Sequence, residues 1–181
     1  MKKHQFEQFK AISVSLGKRK ILLLIILGIS AVALATPPSG IVLNQILARG
    51  AALDDIDEKI KQGNNPDQGG EEWHLKVQTH GATDFYVQHL VVGPGGYSGW
   101  HTHPGLLVGT VVSGSIDFYD GNCQKRSFTA GQVFTENTEV HAIINTGPMD
   151  ADLSIAYLIK HDEPRRMEAA APACASSTGI P

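Results

Sequence analysis

From residue 71 onward the sequence predicts an all-β domain, either a sandwich or a closed barrel. Short runs rich in Val, Ile, Thr, Tyr and Phe recur along residues 71–163 at a spacing of about 8–12 residues, which is typical of such folds. Glycine-containing turns separate these runs, and no segment of convincing length with helical periodicity follows residue 70. The predicted strands are Trp73–Thr79, Asp84–Val92, Leu106–Ser113, Ser115–Tyr119, Lys125–Phe128, Gln132–Thr135, Val140–Asn145 and Asp152–Ile159.

Residues 1–35 have the three parts of a secretory signal peptide. Six basic residues and one acid precede an apolar run from Ile21 to Leu34, and Ala33-Leu34-Ala35 has the form that a signal peptidase accepts. The alternative is an uncleaved membrane anchor, although the run is shorter than the ~20 residues that span a bilayer comfortably. We therefore expect export, periplasmic or secreted, with membrane contact only through residues 1–35 if the leader is kept.

The charge of the expected mature chain argues against nucleic acid as a partner. The whole chain has a formal charge of −3, and residues 1–35 contribute +5, which leaves −8 on residues 36–181. An acidic domain without basic clusters repels phosphate backbones and anionic lipid surfaces. Solubility is the simpler interpretation of this acidity, and the partner that we expect for the domain is a small-molecule ligand or substrate.

The segments on either side of the predicted domain carry weaker signals. Residues 36–70 are expected to be a linker and a flanking segment, in which Ile41–Arg49 forms a short strand or one amphipathic turn. Asp54–Gly70 is polar and turn-rich, so we expect a surface excursion whose first part has helical character as one alternative. Residues 164–181 are expected to be an irregular tail rich in Ala, Pro and Ser.

The two cysteines of the chain, Cys123 and Cys174, both lie in the expected exported part. An even pair in an oxidising compartment suggests one disulfide, with two free thiols as the alternative. A bridge would close a loop of about 50 residues and stabilise the fold by roughly 4 kcal/mol in the chain-entropy model.

Three histidines are the strongest candidates for chemistry. His101 and His103 are two residues apart at the start of a predicted strand, so both rings point to one side. His141 lies about 40 residues later at the start of another strand, from which its ring can face the same cavity. Because neutral imidazole is the commonest metal ligand, these residues predict a site for one divalent metal ion.

Other residues are candidates for the lining of the same cavity. Tyr86, Gln88 and His89 alternate along one predicted strand, so either Tyr86 with Gln88 or His89 alone faces the interior. Leu107 is expected among the apolar residues that line the barrel. Glu139 is two residues before His141, and its carboxylate is a candidate ligand, with an exposed surface position as the alternative.

Both histidine segments resemble the two motifs of the cupin family. Gly95, five further residues, His101-Thr102-His103 and then Gly114 resemble the first motif, and Gly131 followed by His141 and Asn145 resembles the second. The resemblance covers roughly residues 75–160 and implies a jelly-roll β-barrel with a metal ion inside its wide end. It also implies a homodimer that exchanges edge strands. The segment Gly99–Gly105 resembles exported bacterial cupins that carry one cysteine after the motif and another near the C-terminus.

The sequence departs from the family pattern at one ligand. The glutamate of the first motif would fall at Leu107 or Val108, and neither side chain can bind a metal. The resemblance then implies an all-histidine site like that of the thiol dioxygenases. Without a carboxylate the site is expected to favour Fe, Ni, Cu or Zn over Mn²⁺, a harder cation.

These observations leave three functions open. The first is a metal-dependent enzyme, with dioxygenase chemistry or Lewis-acid catalysis of isomerisation or hydrolysis. The second is a non-catalytic module that binds a small molecule outside the cytoplasm. The third is a structural barrel in which a metal ion is incidental. The fold itself supports all three, because a fold does not determine a function.

Overall fold

The computed structural model describes residues 35–63 and 72–181, so the predicted signal peptide lies outside the described residues except for Ala35. Twelve strands and one short helix make up the described part. They are β1 (Ser39–Ala52), β2 (Asp57–Gln62), β3 (Trp73–Gln78), β4 (Thr83–Tyr97), β5 (His101–Thr102), β6 (Gly105–Ser113), β7 (Ser115–Asp120), β8 (Lys125–Thr129), β9 (Val133–Glu136), β10 (His141–Ile144), β11 (Ala151–Lys160), β12 (Met167–Glu168) and α1 (Ala175–Thr178).

Ten of these strands form one antiparallel sheet that bends into two layers. The first layer has the strand order β1-β4-β11-β6-β9. The second has the order β8-β7-β10-β5-β12. A single pairing between Tyr97 of β4 and Ile144 of β10 connects the layers at one corner. The prediction of an all-β jelly-roll barrel is confirmed.

The core lies between the layers because the strands alternate in polarity. Along β11 the residues Leu153, Ile155, Tyr157 and Ile159 are buried, while the residues between them are more exposed. This two-residue period directs every second side chain inward. Phe118 on β7 meets them from the opposite layer in the same core cluster. Burying a large apolar side chain contributes about 1.5–3 kcal/mol, so this row is a main source of stability.

Before β4 the structure differs from the expectation. β1 is a full strand of 14 residues along β4, longer than the predicted Ile41–Arg49 segment. The helical alternative for the start of Asp54–Gly70 is wrong, because Asp57–Gln62 is a strand. β2 pairs only with β3 in a separate two-stranded sheet, so Trp73–Gln78 is a strand as predicted but not a strand of the barrel.

The C-terminal tail is more ordered than its composition predicts. β12 pairs with β5, and α1 follows Cys174, which forms the predicted disulfide with Cys123. The carbonyl oxygen of Pro181 accepts hydrogen bonds from the Tyr97 hydroxyl and the Trp100 indole, both at 2.8 Å. The tail therefore packs on the β5 end of the barrel. Within residues 35–63 and 72–181, no helix has the length and apolar character that crossing a membrane requires.

Candidate metal centre

Four buried side chains meet at the end of the barrel where β5, β9 and β10 lie together. His101 begins β5 and pairs directly with His141, the first residue of β10. His103 follows the end of β5, and Glu136 is the last residue of β9. None of the four is more than 5% exposed. We call these four residues the ligand group.

The ligand group is compact enough to hold one ion. The ring centre of His101 lies 4.9 Å from that of His103 and 4.4 Å from that of His141. One nitrogen or carboxylate oxygen of each residue lies within 4.8 Å of the corresponding atoms of the other three. The structure thus brings together the three histidines that the sequence predicts, and it adds a carboxylate.

Backbone carbonyls orient all three rings in the same way. The Nδ1 atom of His101 lies 2.8 Å from the Gly99 oxygen, that of His103 lies 2.6 Å from the Arg165 oxygen, and that of His141 lies 2.7 Å from the Glu139 oxygen. A carbonyl can only accept, so each Nδ1 donates its proton. A neutral ring held in this tautomer presents a lone pair at Nε2, which is the form that binds metal ions.

The atoms that converge are therefore electron-rich. One oxygen of Glu136 lies 3.0 Å from His103 Nε2 and 3.2 Å from His141 Nε2, and the buried Nε2 of His141 has no hydrogen-bond partner. Lone pairs facing a carboxylate repel one another unless a cation lies between them. Because no lysine or arginine contacts Glu136 within the described residues, the group fits a bound metal ion.

Burial and the contacts within the group set the charge states of His101 and Glu136. Burial lowers the pKa of the His101 ring well below its usual range, so this ring is neutral. Burial acts to raise the pKa of the Glu136 carboxyl, but its contacts with His103 and His141 lower the pKa by more. The group therefore combines the neutral imidazole of His101 with an ionised carboxylate, and both are donors that a divalent transition-metal ion accepts.

Glu136 is the functional residue that the sequence reasoning missed. Leu107, where the motif glutamate was expected, pairs directly with Glu136 across β6 and β9. Side chains at paired positions lie about 4.5–5.5 Å apart at Cβ and point to the same face. The Glu136 carboxylate thus reaches the centre from β9, at the position directly opposite the one where the first motif would have its glutamate on β6.

The register that brings Glu136 opposite Leu107 depends on a small residue. Gly109 pairs with Phe134, two residues from the Leu107 pair and on the same face. A methyl group at Gly109 would overlap the Phe134 ring, so the absence of a side chain there lets the ring cover the strand. The Phe134 ring is buried in this position, at 2% exposure, against the backbone of β6.

The other predicted lining residues divide between interior and surface. Tyr86 and Gln88 face inward and are buried, whereas His89 is half-buried and pairs with Asp152 at 2.9 Å. Gln88 and Leu107 line the cavity beside the ligand group, and Tyr86 packs in the core. Glu139 is exposed and its carboxylate is not part of the ligand group, so its contact with the site is the backbone oxygen that orients His141.

A cavity of about 80 Å³ lies beside His101, His103 and Glu136. Its walls are largely apolar, and its ionisable side chains outside the ligand group are Tyr157, Arg165 and Arg166. Burial raises the pKa of the Tyr157 hydroxyl above its usual range, so this group stays protonated. The remaining lining residues are Pro38, Ile41, Asn44, Gln88, Leu90, Ser98, Leu107, Ile143 and Ile155.

The chain has a family match that covers the centre. A family model described as the cupin domain matches residues 88–157, which contain the whole ligand group. Among curated proteins, none matches the sequence.

Solved structures with similar folds are remote in sequence. An uncharacterized conserved protein with a double-stranded β-helix domain from Klebsiella pneumoniae is 18% identical over 64% of this chain and 84% of its own, with a TM-score of 0.42. A cupin superfamily protein from Desulfitobacterium hafniense is 16% identical over 42% of this chain and 68% of its own, with a TM-score of 0.38. An oxalate oxidase in complex with the substrate analogue glycolate is 20% identical over 46% of this chain, with a TM-score of 0.40, and the match spans 45% of that chain.

Proposed function

This chain belongs to the cupin superfamily, and we propose that its barrel binds one divalent metal ion through the ligand group. The observation that carries the proposal is the shared orientation of the three rings. Each Nδ1 donates to a backbone carbonyl, so each Nε2 presents a lone pair toward the Glu136 carboxylate. The Nε2 lone pairs and the Glu136 carboxylate would be stabilised by a cation, and no lysine or arginine of the described residues contacts Glu136.

The donor set widens the range of metals that we propose. The preference for Fe, Ni, Cu or Zn over Mn²⁺ rested on the absence of a carboxylate from the site. Glu136 provides that carboxylate, which restores one negative charge and a hard oxygen donor. Three imidazoles and one carboxylate suit Mn²⁺ as well as the four softer ions.

We propose that the bound ion acts on a small molecule that enters the cavity. An ion of this kind supplies Lewis acidity or, if it is redox-active, a site for O₂. The chain itself contributes the three oriented rings, a largely apolar wall that limits water, and the polar side chains Gln88 and Tyr157 that can orient a ligand. A metal-dependent enzyme, with dioxygenase chemistry as one form, is the function that these features support.

One observation favours a non-catalytic binding module as the second candidate. Among the described residues that line the cavity, no aspartate, lysine or cysteine is present, and Glu136 is the only glutamate. Tyr157 holds its proton firmly because burial raises its pKa. Any proton transfer would then depend on the ligand or on metal-bound water, whereas retention of a ligand needs no such group.

Metal analysis of purified protein tests the proposal. We expect the wild type to bind one equivalent of metal after loading with Fe²⁺, Mn²⁺ or Zn²⁺, and His141→Gln to bind less than a tenth of that. His80→Gln is the matched control, because the His80 ring is 84% exposed and outside the ligand group. A metal-free wild type, or full binding by His141→Gln, would contradict the proposal.

Turnover measurements separate the two candidates. Iron-loaded wild type is mixed with a panel of chelating substrates, and oxygen uptake and product formation are followed. Metal-dependent turnover that disappears in His141→Gln supports the enzyme. Tight binding of a ligand without turnover supports the binding module.

We also propose that the protein is exported. The Cys123–Cys174 disulfide is consistent with an oxidising compartment, and the basic and apolar segments of residues 1–35 have the pattern of a signal peptide. Mass spectrometry of protein from the periplasm or the medium is expected to give a mature chain that begins at Thr36. A chain that retains residues 1–35 in the membrane fraction supports the anchored form instead.

A further inference from the structure

Arg165 is a cation at the cavity without a carboxylate partner. Its side chain lines the cavity beside the ligand group, and no aspartate or glutamate among residues 35–63 and 72–181 lies within salt-bridge distance of it. The neighbouring Arg166 differs, because Glu168 accepts two hydrogen bonds from its guanidinium, at 2.6 and 2.7 Å. One of the two guanidinium groups is thus neutralised within the protein and the other is not.

A buried polar network holds Arg165 at the cavity wall. Its Nη1 atom donates to Gln88 Oε1 at 2.9 Å and to the Tyr157 hydroxyl at 3.0 Å. Gln88 in turn donates from Nε2 to Asn44 at 2.6 Å, and the Tyr157 hydroxyl donates to Gln88. Only Nη1 is used in these bonds, so Nη2 and Nε remain as donors without an acceptor in the described part of the protein.

Tyr157 connects this network to the ligand group. Its ring centre lies 5.5 Å from that of His103 and 5.2 Å from the Arg165 guanidinium carbon. The backbone oxygen of Arg165 also orients His103. The guanidinium is therefore one aromatic ring away from the ligand group, within the span of a small molecule.

The charges around the cavity favour an anion. A divalent ion on the ligand group would bring two positive charges and Arg165 a third, while Glu136 is the only uncompensated negative charge among the described lining residues. The remaining wall is mostly apolar, with Leu107, Ile143 and Ile155 among its members. In such surroundings a fork of guanidinium donors binds a planar carboxylate by two parallel hydrogen bonds.

We propose that the cavity is a binding site for a small carboxylate, whose carboxylate group pairs with Arg165 while a second oxygen or nitrogen faces the metal ion. This inference rests on the proposed metal-binding function and adds the class of ligand. The cavity volume of about 80 Å³ restricts the ligand to a small molecule. The free donors of Arg165 favour a carboxylate over a neutral amide, because an amide has one oxygen and no charge and cannot accept two parallel charge-assisted hydrogen bonds.

Isothermal titration with matched pairs of ligands tests this assignment. Lactate, malonate and succinate are titrated against Co²⁺-loaded protein of measured metal content, each beside its neutral amide, lactamide, malonamide or succinamide. We expect at least one carboxylate to bind at least tenfold more tightly than its amide. We expect Arg165→Gln to weaken that carboxylate about 10- to 100-fold and to leave the amide unchanged, since hydrogen bonds to charged groups contribute this much.

Two further variants separate recognition from a structural role. Arg165→Lys keeps the charge but loses the fork, so its affinity should lie between those of the wild type and Arg165→Gln. Lys160→Gln, which removes an exposed cation outside both this cavity and the ligand group, should bind like the wild type. A structural role would weaken carboxylate and amide equally and leave their ratio unchanged.

The outcomes distinguish this inference from the metal-binding proposal. Suppose that the loaded protein holds one equivalent of Co²⁺. If it binds no carboxylate, or if the wild type and Arg165→Gln bind the carboxylate with equal affinity, the carboxylate site is refuted and the metal site stands. If the protein binds no metal, the metal proposal fails, and the same titration on metal-free protein decides the anion site. Carboxylate binding that depends on Arg165 would support it, and its absence would refute it.

Discussion

Two clusters of acidic and histidine side chains lie on this barrel, and they differ in how their carboxylates are neutralised. In the ligand group, Glu136 faces two Nε2 atoms whose rings already donate elsewhere. In the second cluster, Asp84 accepts hydrogen bonds from His161 at 2.8 Å and from Arg49 at 3.0 Å. Asp162 completes a set of three residues with metal-ligating side chains.

The two clusters have similar ligand types but differ in the partners of their carboxylates. Both clusters bring histidine and carboxylate atoms within 4.8 Å of one another. The hydrogen bond with His161 and the ion pair with Arg49 lower the pKa of the Asp84 carboxyl, and the hydrogen bond with Asp84 raises the pKa of His161. Asp84 thus has cations from the protein, while the ligand group has none within the described residues.

Removal of metal should have the largest effect. A ligand that binds only the folded state stabilises it by about 4 kcal/mol when its free concentration is a thousand times the dissociation constant. We therefore expect a chelator to lower the thermal unfolding midpoint of the metal-loaded wild type strongly, as measured by calorimetry. Asp84→Asn should show the same chelator-dependent shift, because Arg49 and His161 already contact the Asp84 carboxylate and we expect no metal ion there. A shift that is lost in Asp84→Asn would reverse the assignment of the two clusters.

The next effect concerns the carboxylate. Loss of residues that only support metal ligands costs about 10- to 100-fold in affinity, so Glu136→Gln, which alters a ligand itself, should cost at least that much. Competition with a coloured chelator measures the change. Glu139→Gln is the matched control, since Glu139 is exposed and its carboxylate is outside the ligand group. Weaker binding in Glu139→Gln with an unchanged Glu136→Gln would restore Glu139 as the ligand.

An exchange across the strands sharpens the same point. Because Leu107 and Glu136 are paired on β6 and β9, the double variant Leu107→Glu with Glu136→Leu returns the carboxylate to the motif position. In the same competition assay, we expect the double variant to bind metal at least tenfold more tightly than Glu136→Leu alone. The single variant Leu107→Glu is the control for damage to the barrel. A double variant no better than Glu136→Leu would mean that only β9 can deliver the carboxylate.

The second cluster should affect stability and not metal binding. Asp84→Asn removes a buried charge that two cations contact, and hydrogen bonds to charged groups contribute about 1.5–3 kcal/mol. Because Arg49 and His161 are partly exposed, water replaces some of that loss, and we expect about 1 kcal/mol in urea unfolding. Metal affinity should not change. Reduced metal content in this variant would show that the two clusters are coupled.

The smallest effect should be a dependence of stability on pH. The pKa of His161 is raised by its hydrogen bond with Asp84, so its stabilising contribution is full below the unfolded pKa of about 6.5 and decreases as pH rises through the folded pKa. Urea unfolding between pH 5.5 and 8.5 should therefore show a decrease that is absent in His161→Gln. His80→Gln, at an exposed ring, is the control. The same slope in both variants would contradict this origin.

Local patterns of the sequence were enough to predict three of the four residues of the ligand group. His101 and His103 lie on one side because side chains alternate along an extended chain, and His141 was identified by its place in a second motif. The same alternation assigned Tyr86 and Gln88 to the interior once one of the two faces was known to be buried. These predictions need only the direction of a side chain relative to its own strand.

The fourth ligand needs the register between distant strands. β7 and β8 separate β6 from β9 in the chain, so no turn fixes which residue of β9 lies opposite Leu107. Glu139 was the candidate because it is close to His141 in sequence, yet its carboxylate is not part of the ligand group. The misassigned start of Asp54–Gly70 has a related cause. β2 is exposed throughout and carries no apolar alternation that would separate a strand from a helix.

The pairing of Leu107 with Glu136 also bears on how relatives of this protein are sorted. A coordination sphere is conserved when its donor atoms stay in place, whichever strand carries them. A barrel that has lost the acid of its first histidine motif but has gained one on the adjoining strand is still equipped for an ion. A classification that inspects only the first motif would count such barrels as unable to bind a metal ion. A search for Asp or Glu at the paired position of the facing strand would identify them as candidate metal-binding proteins.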